Sequence, residues 1–226
     1  MRLSHHVLAV VMVMFGLVPL TATADEEKVE LKDVPASVRQ AADDRVPQAK
    51  WTEATKHTDD DETAYELNGA DVKGREVHIT LTALGQVEAV ETVLSVTDLP
   101  PNIVEVLRTL PQVKWTDATE KIEDGMTTYE VSGSDLKDRE STAFFASDGQ
   151  AIIHTDLERS EVPAVVSDAL KAKQPTYQWQ RVRSVTEKGQ LVAYLFARSE
   201  GTDGEEMEVK VSADGKTVTV GDEDDD

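Results

Sequence analysis

The chain of 226 residues contains no cysteine. Disulfide bonds, thiol nucleophiles, thiolate metal ligands and a membrane anchor on an acylated cysteine are therefore excluded. Histidine is also scarce, and beyond the N-terminal segment the histidines are His57, His78 and His154. They lie far apart in the sequence, at none of the short spacings typical of metal ligands. We predict no metal site and no cofactor.

Complete catalytic motifs are missing as well. Neither H-E-x-x-H nor G-x-S-x-G occurs in the chain. Ser134 and Lys137 have the S-x-x-K spacing of penicillin-recognising enzymes, but no K-T-G follows them. We predict that the protein is not an enzyme and has no catalytic residues, with an unrecognised hydrolase as an alternative.

Long apolar runs are limited to one, at residues 7–20. Arg2 precedes it, and the small residues Ala22 and Ala24 follow it in an A-x-A pattern. This arrangement is typical of a signal peptide, here residues 1–24, cleaved before Asp25. We therefore expect a periplasmic or secreted protein with no membrane anchor after cleavage.

Basic residues are few, since 23 Lys and Arg stand against 44 Asp and Glu, for a net charge of −21. Such a chain repels polyanions, which argues against nucleic acid or an anionic membrane surface as a partner. Basic proteins and divalent cations remain possible. Residues 222–226 are all acidic and are expected to form a solvated tail, or a tether for a basic partner.

Tryptophan is rare too, yet its positions reveal an internal repeat. Trp51, Trp115 and Trp179 are 64 residues apart, and each lies four residues after a proline. Two further landmarks recur in the same order, a tyrosine-led strand motif and a glycine turn. These are Tyr65-Glu66-Leu67, Tyr129-Glu130-Val131 and Tyr194-Leu195-Phe196, followed by Gly85, Gly149 and Gly215. The spacing predicts repeats at residues 25–96, 97–160 and 161–221, then the acidic tail at 222–226.

Each repeat has the pattern of one helix followed by four strands. Apolar residues recur at helical spacing from just before one proline toward a second, as at Val34, Val38 and Ala42, with Pro35 near the start and Pro47 as the stop. After the tryptophan the period becomes two, as in residues 77–81 and 207–211. The predicted fold class is α+β, with three tandem units, each one helix packed on a four-stranded antiparallel sheet.

This succession of motifs resembles the PepSY-like domains of exported bacterial proteins, which share the β-lactamase-inhibitor-like plan of a helix and four strands. The motifs that carry the resemblance are the apolar-Pro helix start, Pro-x-x-x-Trp, Tyr-Glu-apolar and the glycine turn. They recur through residues 25–221. The resemblance implies a non-catalytic module that binds or inhibits other exported proteins.

The open face of the predicted sheet is the candidate contact surface. Ala54, Ala118 and Val182, three positions after the tryptophans, are predicted to face the helices, and strict alternation then puts the tryptophans on the opposite face. The alternative is that each indole folds over the end of its helix as core. The candidate contact residues are Trp51, Trp115, Trp179, Phe144, Arg181 and Arg183.

Arg181 and Arg183 belong to the repeat that is closest to neutral, with 9 acids and 8 bases in residues 161–221. They either meet acidic groups of a partner or neutralise the acidic second repeat. The acidic residues 59–62 are predicted to form a solvated turn, because the glycine and terminal glutamate of an EF-hand loop are absent.

We therefore expect an exported, non-catalytic binding or inhibitory module that acts through its open sheet face on another extracytoplasmic protein. An acidic envelope protein that binds divalent cations is the alternative.

Overall fold

The structure is a computed structural model that describes residues 25–59, 62–110, 112–200 and 205–221. Within these residues, no helix is long and apolar enough to cross a membrane. The predicted signal peptide, residues 1–24, and the predicted tail, residues 222–226, lie outside the described residues.

The described residues form one antiparallel sheet of 13 strands, three α-helices and two short 3-10 helices. The helices are α1 (Ala36–Arg45), α2 (Pro101–Arg108) and α3 (Ala164–Lys173), and the 3-10 helices are Val96–Asp98 and Arg159–Glu161. The strands are β1 (Asp25–Val29), β2 (Lys50–Asp59), β3 (Glu62–Ala70), β4 (Glu76–Thr82), β5 (Val87–Leu94), β6 (Val113–Glu123), β7 (Met126–Asp135), β8 (Glu140–Ala146), β9 (Ala151–Asp156), β10 (Arg181–Glu187), β11 (Gln190–Glu200), β12 (Glu205–Ser212) and β13 (Val218–Gly221).

The predicted fold class of three units, each with its own four-stranded sheet, is wrong. The strands pair in chain order from β1 to β13 as a single sheet. The strand before each helix pairs with the strand after it, as β5 pairs with β6 and β9 with β10. Because an unpaired strand edge leaves backbone N–H and C=O groups without partners, joining the sheets satisfies both edges at each junction. The predicted boundaries at residues 96/97 and 160/161 fall in or beside the 3-10 helices and stay predictions.

The helices begin where the prolines indicated. Pro35, Pro100 and Pro163 each precede the first helical residue in an extended conformation. Pro47 and Pro175 follow the ends of α1 and α3, in agreement with the predicted stops. Pro111, the corresponding residue after α2, lies outside the described residues. The residues of each helix that are buried lie four apart, Val38 with Ala42, Ile103 with Leu107 and Val166 with Leu170.

All three helices contribute to apolar clusters that also take in one face of the sheet. We call this the helix face. Around α1 the cluster contains Leu67, Ile79 and Leu81, each 0% exposed. Corresponding clusters surround α2, with Val131 and Phe145, and α3, with Phe196 and Val209. Ala54, Ala118 and Val182 belong to these clusters, so the predicted orientation of these small residues is confirmed.

The first strand after α1 and after α2 carries a β-bulge at its start. The pairing register shifts between Trp51 and Glu53, and again between Trp115 and Asp117. Trp51 pairs with Gly69 and Trp115 pairs with Gly133. A Cβ atom on Gly133 would lie 2.3 Å from the carbonyl oxygen of Lys114 and 2.8 Å from the Cα of Trp115. Only glycine fits this close backbone approach.

We therefore expect Gly133→Ala to destabilise the protein by about 1–3 kcal/mol, because its Cβ must push the backbone of β6 away. Gly221→Ala is the matched control, since a Cβ there meets nothing within 4 Å. Urea denaturation of both variants measures the difference in the free energy of unfolding. Equal, small losses would contradict the close approach.

Candidate functional site

The face of the sheet opposite the helices, which we call the open face, carries most of the charged side chains of the strands. Along β4 and β8, for example, Val77, Ile79, Ala143 and Phe145 point to the helix face and are 1% exposed or less. The residues between them, such as His78 and Phe144, are half-buried on the open face. We call residues 25–96, 97–160 and 161–221 the first, second and third segments. Because the sheet is continuous, the open face extends without a break from one segment to the next.

The three tryptophans do not lie on the open face, and the prediction that they form an aromatic row there is wrong. Each indole packs against the helix-face cluster of its own segment. The Nε1 of Trp51 donates a hydrogen bond to Asp43 Oδ1 in α1 at 3.0 Å. Trp179 makes an edge-to-face contact with Phe196, their ring centroids 5.2 Å apart. These positions match the alternative in which the indoles cover the helix ends as core.

The error has a local physical cause. Strict alternation assumes an unbroken ladder, but the bulge after Trp51 and after Trp115 inserts one residue and returns the indole to the helix face. Gly69 and Gly133, inside otherwise regular strand patterns, are the sequence signal that was missed. In the third segment Arg198 occupies the corresponding position, and β10 begins only at Arg181, after Trp179.

Phe144 does lie on the open face, as predicted. It pairs with Glu130 on one side and Ile152 on the other, and its ring meets that of His154 edge to face with centroids 5.3 Å apart. The side chain is half-buried. Whether Phe144 contacts a partner stays a prediction.

A second apolar cluster adjoins Phe144 on the open face, and sequence reasoning missed it. Val185, Ala193 and Leu195 are at most 4% exposed, and Ile152 and Val192 pack against them at the border. The signal was the unbroken apolar run of residues 192–197 in β11. Such a run indicates a strand that is buried on both faces, because successive residues point to opposite faces and all of them are apolar.

Arg181 and Arg183 differ in what they contact. Arg181 pairs with Asp156 at 3.0 Å and with Glu140 at 3.6 Å, both in the acidic second segment. This arrangement agrees with the interpretation that Arg181 neutralises that segment. Arg183 pairs instead with Glu208 of its own segment, and these side chains are 20% and 9% exposed.

His154, which contacts Phe144 on the open face, is neutral. Burial lowers its pKa to about 4, assisted by the positive charges of Arg183, Lys210 and Arg181, while Asp156 acts in the opposite direction. Its Nδ1 atom is buried without a hydrogen-bond partner. The ring therefore serves Phe144 as a packing surface.

The first two segments of the open face are dominated by carboxylates. Glu66 lies between two histidines, 3.5 Å from His57 Nε2 and 3.9 Å from His78 Nδ1. Burial raises the pKa of Glu130, and the negative charges of Glu91 and Glu140 raise it further. Among the described residues, no group of three His, Asp or Glu side chains could hold a metal ion.

Several acidic residues near the strand turns are engaged internally. Asp71 accepts hydrogen bonds from the Arg75 side chain, and Asp135 accepts them from Arg139 in the same way. In Asp135 these bonds hold the pKa at about 2 against the opposing effect of burial. Glu161 also contacts Arg139, which links the turn between β7 and β8 to the 3-10 helix before α3.

No family model matches the chain, and no curated protein matches it. Among solved structures, a BLIP-like protein from Bacteroides fragilis is 18% identical with a TM-score of 0.41, over 52% of this chain and 82% of that one. A DUF2874 family protein from Bacteroides uniformis is 14% identical with a TM-score of 0.42, over 52% and 85%. A Bacteroides thetaiotaomicron protein, provisionally named calcium-regulated and periplasmic, is 19% identical with a TM-score of 0.26, over 55% and 91%.

Because the TM-scores of these structures are below 0.5, the resemblance to PepSY-like and β-lactamase-inhibitor-like domains and the repeat arrangement stay predictions. Two of these proteins are provisionally named periplasmic, and the periplasmic or secreted location of this chain stays a prediction.

The ion pairs of the two arginines predict different costs of removal. Arg183→Ala leaves the carboxylate of Glu208 buried without its counter-charge, so we expect a loss of about 3–5 kcal/mol in the free energy of unfolding. Arg181→Ala should cost less than about 1 kcal/mol, because the ion pairs of an exposed side chain are weak. Urea denaturation compares the two variants. A small loss at Arg183 would show that its pair with Glu208 contributes little to folding.

The low pKa of His154 predicts a pH dependence of stability. Folding lowers this pKa from an ordinary 6.5 to about 4, so between these values the unfolded chain binds more protons than the folded one. The stability contribution is therefore complete above pH 6.5 and is lost as the pH falls toward 4. The free energy of unfolding of His154→Gln should decline less over this range than that of the parent protein. Parallel declines in chemical denaturation would contradict a buried neutral ring.

Proposed function

We propose that this protein is an exported, non-catalytic module that binds another extracytoplasmic protein through the open face of its sheet. The observation that carries the proposal is the half-buried pair Phe144 and Ile152 beside the buried apolar cluster of Val185 and Leu195. Apolar groups at the border of a charged face are typical of a contact site, because burying them against a partner is favourable.

The charges around this apolar patch limit the partner. Glu130 pairs directly with Phe144 across β7 and β8, and its pKa is raised first by burial and then by the negative charges of Glu91 and Glu140. A partner that places a Lys or Arg side chain near Glu130 would relieve this repulsion, whereas an acidic partner would increase it. The proposed partner therefore presents an apolar side chain next to basic residues. Inhibition of that partner belongs to the same proposal.

Cation binding, the second candidate, has less support. Many carboxylates on the open face and its turns are held by bases of the same chain, as Glu91 and Glu123 are by Lys121. A calcium site needs several oxygen ligands converging on one point. Saturable calcium binding in a calorimetric titration, beyond the effect of ionic strength, would favour this candidate.

The test uses capture of envelope proteins by the tagged, exported protein and two variants. Phe144→Ala removes the ring from the open face, whereas Leu136→Ala removes an aliphatic side chain that is 84% exposed in the turn after β7. We expect one stoichiometric partner that is retained by the parent protein and by Leu136→Ala but lost with Phe144→Ala. Thermal melting of each variant verifies that it is folded. Equal capture by all three proteins would contradict the proposal.

A further inference from the structure

The strands that precede the three helices occupy equivalent positions in the sheet. Val29 of β1 pairs with Ala54, and Leu94 of β5 pairs with Ala118. Directly after β9, the N–H of Leu157 donates a hydrogen bond to the carbonyl oxygen of Val182 at 2.9 Å. Each strand therefore meets the small residue that follows the tryptophan in its segment. The pairing of β1 with the strand after α1 thus has the same register as the pairing of β5 with the strand after α2 and of β9 with the strand after α3.

The aliphatic residue at this position also completes the apolar cluster of the segment that follows. Leu94 is 7% exposed and belongs to the cluster of α2. Val29 packs against the cluster of α1, and Leu157 packs against the cluster of α3. The outer edge of β2 and the gap that Val29 fills therefore form a site for an extended strand with a branched aliphatic side chain.

The three strands differ in how firmly they are held. β5 is paired on both sides, with β4 and β6, and β9 is paired with β8 and β10. Among the described strands, β1 is paired with β2 alone. Its charged contacts are long: Glu26 lies 3.6 Å from His57 and Lys28 lies 3.8 Å from Glu53. If β1 leaves the edge of β2, one set of inter-strand hydrogen bonds is broken. If β5 or β9 left its place, two sets would be broken.

We propose that the β2 edge is a strand-binding site that accepts β1 of a second copy of this chain, so that two copies exchange their first strands. The exchanged strand makes the same ladder to β2 and inserts the same valine next to Ala54, so both states have equivalent contacts at the site. The exchange is reciprocal and closes as a dimer, because each copy both donates and receives one strand. This inference is independent of the open face and of its partner.

The opposite edge of the sheet, at β13, is poorly suited to supply a strand to the β2 edge of another copy. Gly85 and Gly149 precede Leu94 and Leu157 by nine and eight residues, so in the sequence the corresponding positions after Gly215 are Asp224 and Glu223, which lie outside the described residues. An acidic residue there could not fill an apolar gap without a large cost. End-to-end growth through β13 is therefore disfavoured.

The absence of cysteine from the chain permits a direct test with single cysteines. Lys28 and Thr55 are direct partners across β1 and β2, and Val93 and Thr119 are the equivalent partners across β5 and β6. Lys28→Cys and Thr55→Cys are placed in separate full chains, which are exported, purified reduced, mixed and oxidised. Two tags of different size distinguish a heterodimer from homodimers. A mixture of Val93→Cys and Thr119→Cys chains is the matched control.

We expect a disulfide-linked heterodimer from the Lys28→Cys and Thr55→Cys mixture, and none from the control mixture, because β5 is paired on both sides. A chain that carries both Lys28→Cys and Thr55→Cys should form the bond internally, which shows that the two cysteines can react. If that double variant forms its bond while the mixed single variants give no heterodimer above the control, strand exchange is overturned.

Discussion

Pairing between the strand before each helix and the strand after it is the constraint on which the rest of this structure depends. At β5–β6 and β9–β10 this pairing carries backbone hydrogen bonds from one segment into the next, so that the described strands form one sheet. It also brings Leu94 and Leu157 into the clusters of the following segments. At each junction, therefore, neighbouring segments are joined both by backbone hydrogen bonds and by a buried aliphatic side chain.

A continuous sheet divides the molecule into two faces with different physical chemistry. On the helix face, aliphatic and aromatic residues are buried under α1, α2 and α3, and the tryptophans extend this cover at the helix ends. On the open face, carboxylates of the first two segments give way to the cluster of Val185, Ala193 and Leu195 near β11. Apolar and acidic groups therefore lie side by side on the open face at Phe144 and Glu130. A partner that binds there needs an apolar group for Phe144 and a basic group for Glu130.

The mostly buried Arg183–Glu208 pair and the half-buried His154 lie at the same end of the open face. A charge pair that is mostly buried contributes to stability only while both partners are present, and its neighbourhood favours an uncharged imidazole. Arg181, by contrast, is exposed and contacts the acidic second segment. Two arginines separated by one residue thus have different physical roles, because one is covered by the neighbouring strands and the other is not.

Local patterns in the sequence were sufficient to predict much of the secondary structure. Helical apolar spacing and flanking prolines located α1, α2 and α3, and period-two alternation located strands such as β4 and correctly oriented Ala54, Ala118 and Val182. These features depend on residues close together in the chain, so their information is local. The orientation of Phe144 was predicted for the same reason, since β8 is regular and free of bulges.

What only the tertiary structure decided involves contacts between distant residues. Alternation cannot show which strand edges join, so one sheet and three separate sheets are compatible with the same pattern. The faces of Trp51 and Trp115 depended on bulges that form because Gly69 and Gly133, in the next strand, admit the tryptophan backbone. The choice of Glu208 as the partner of Arg183 depended on the order of β10, β11 and β12. Strand order, bulge position and buried charge pairing are all set by packing across the sheet, which no single segment of the sequence contains.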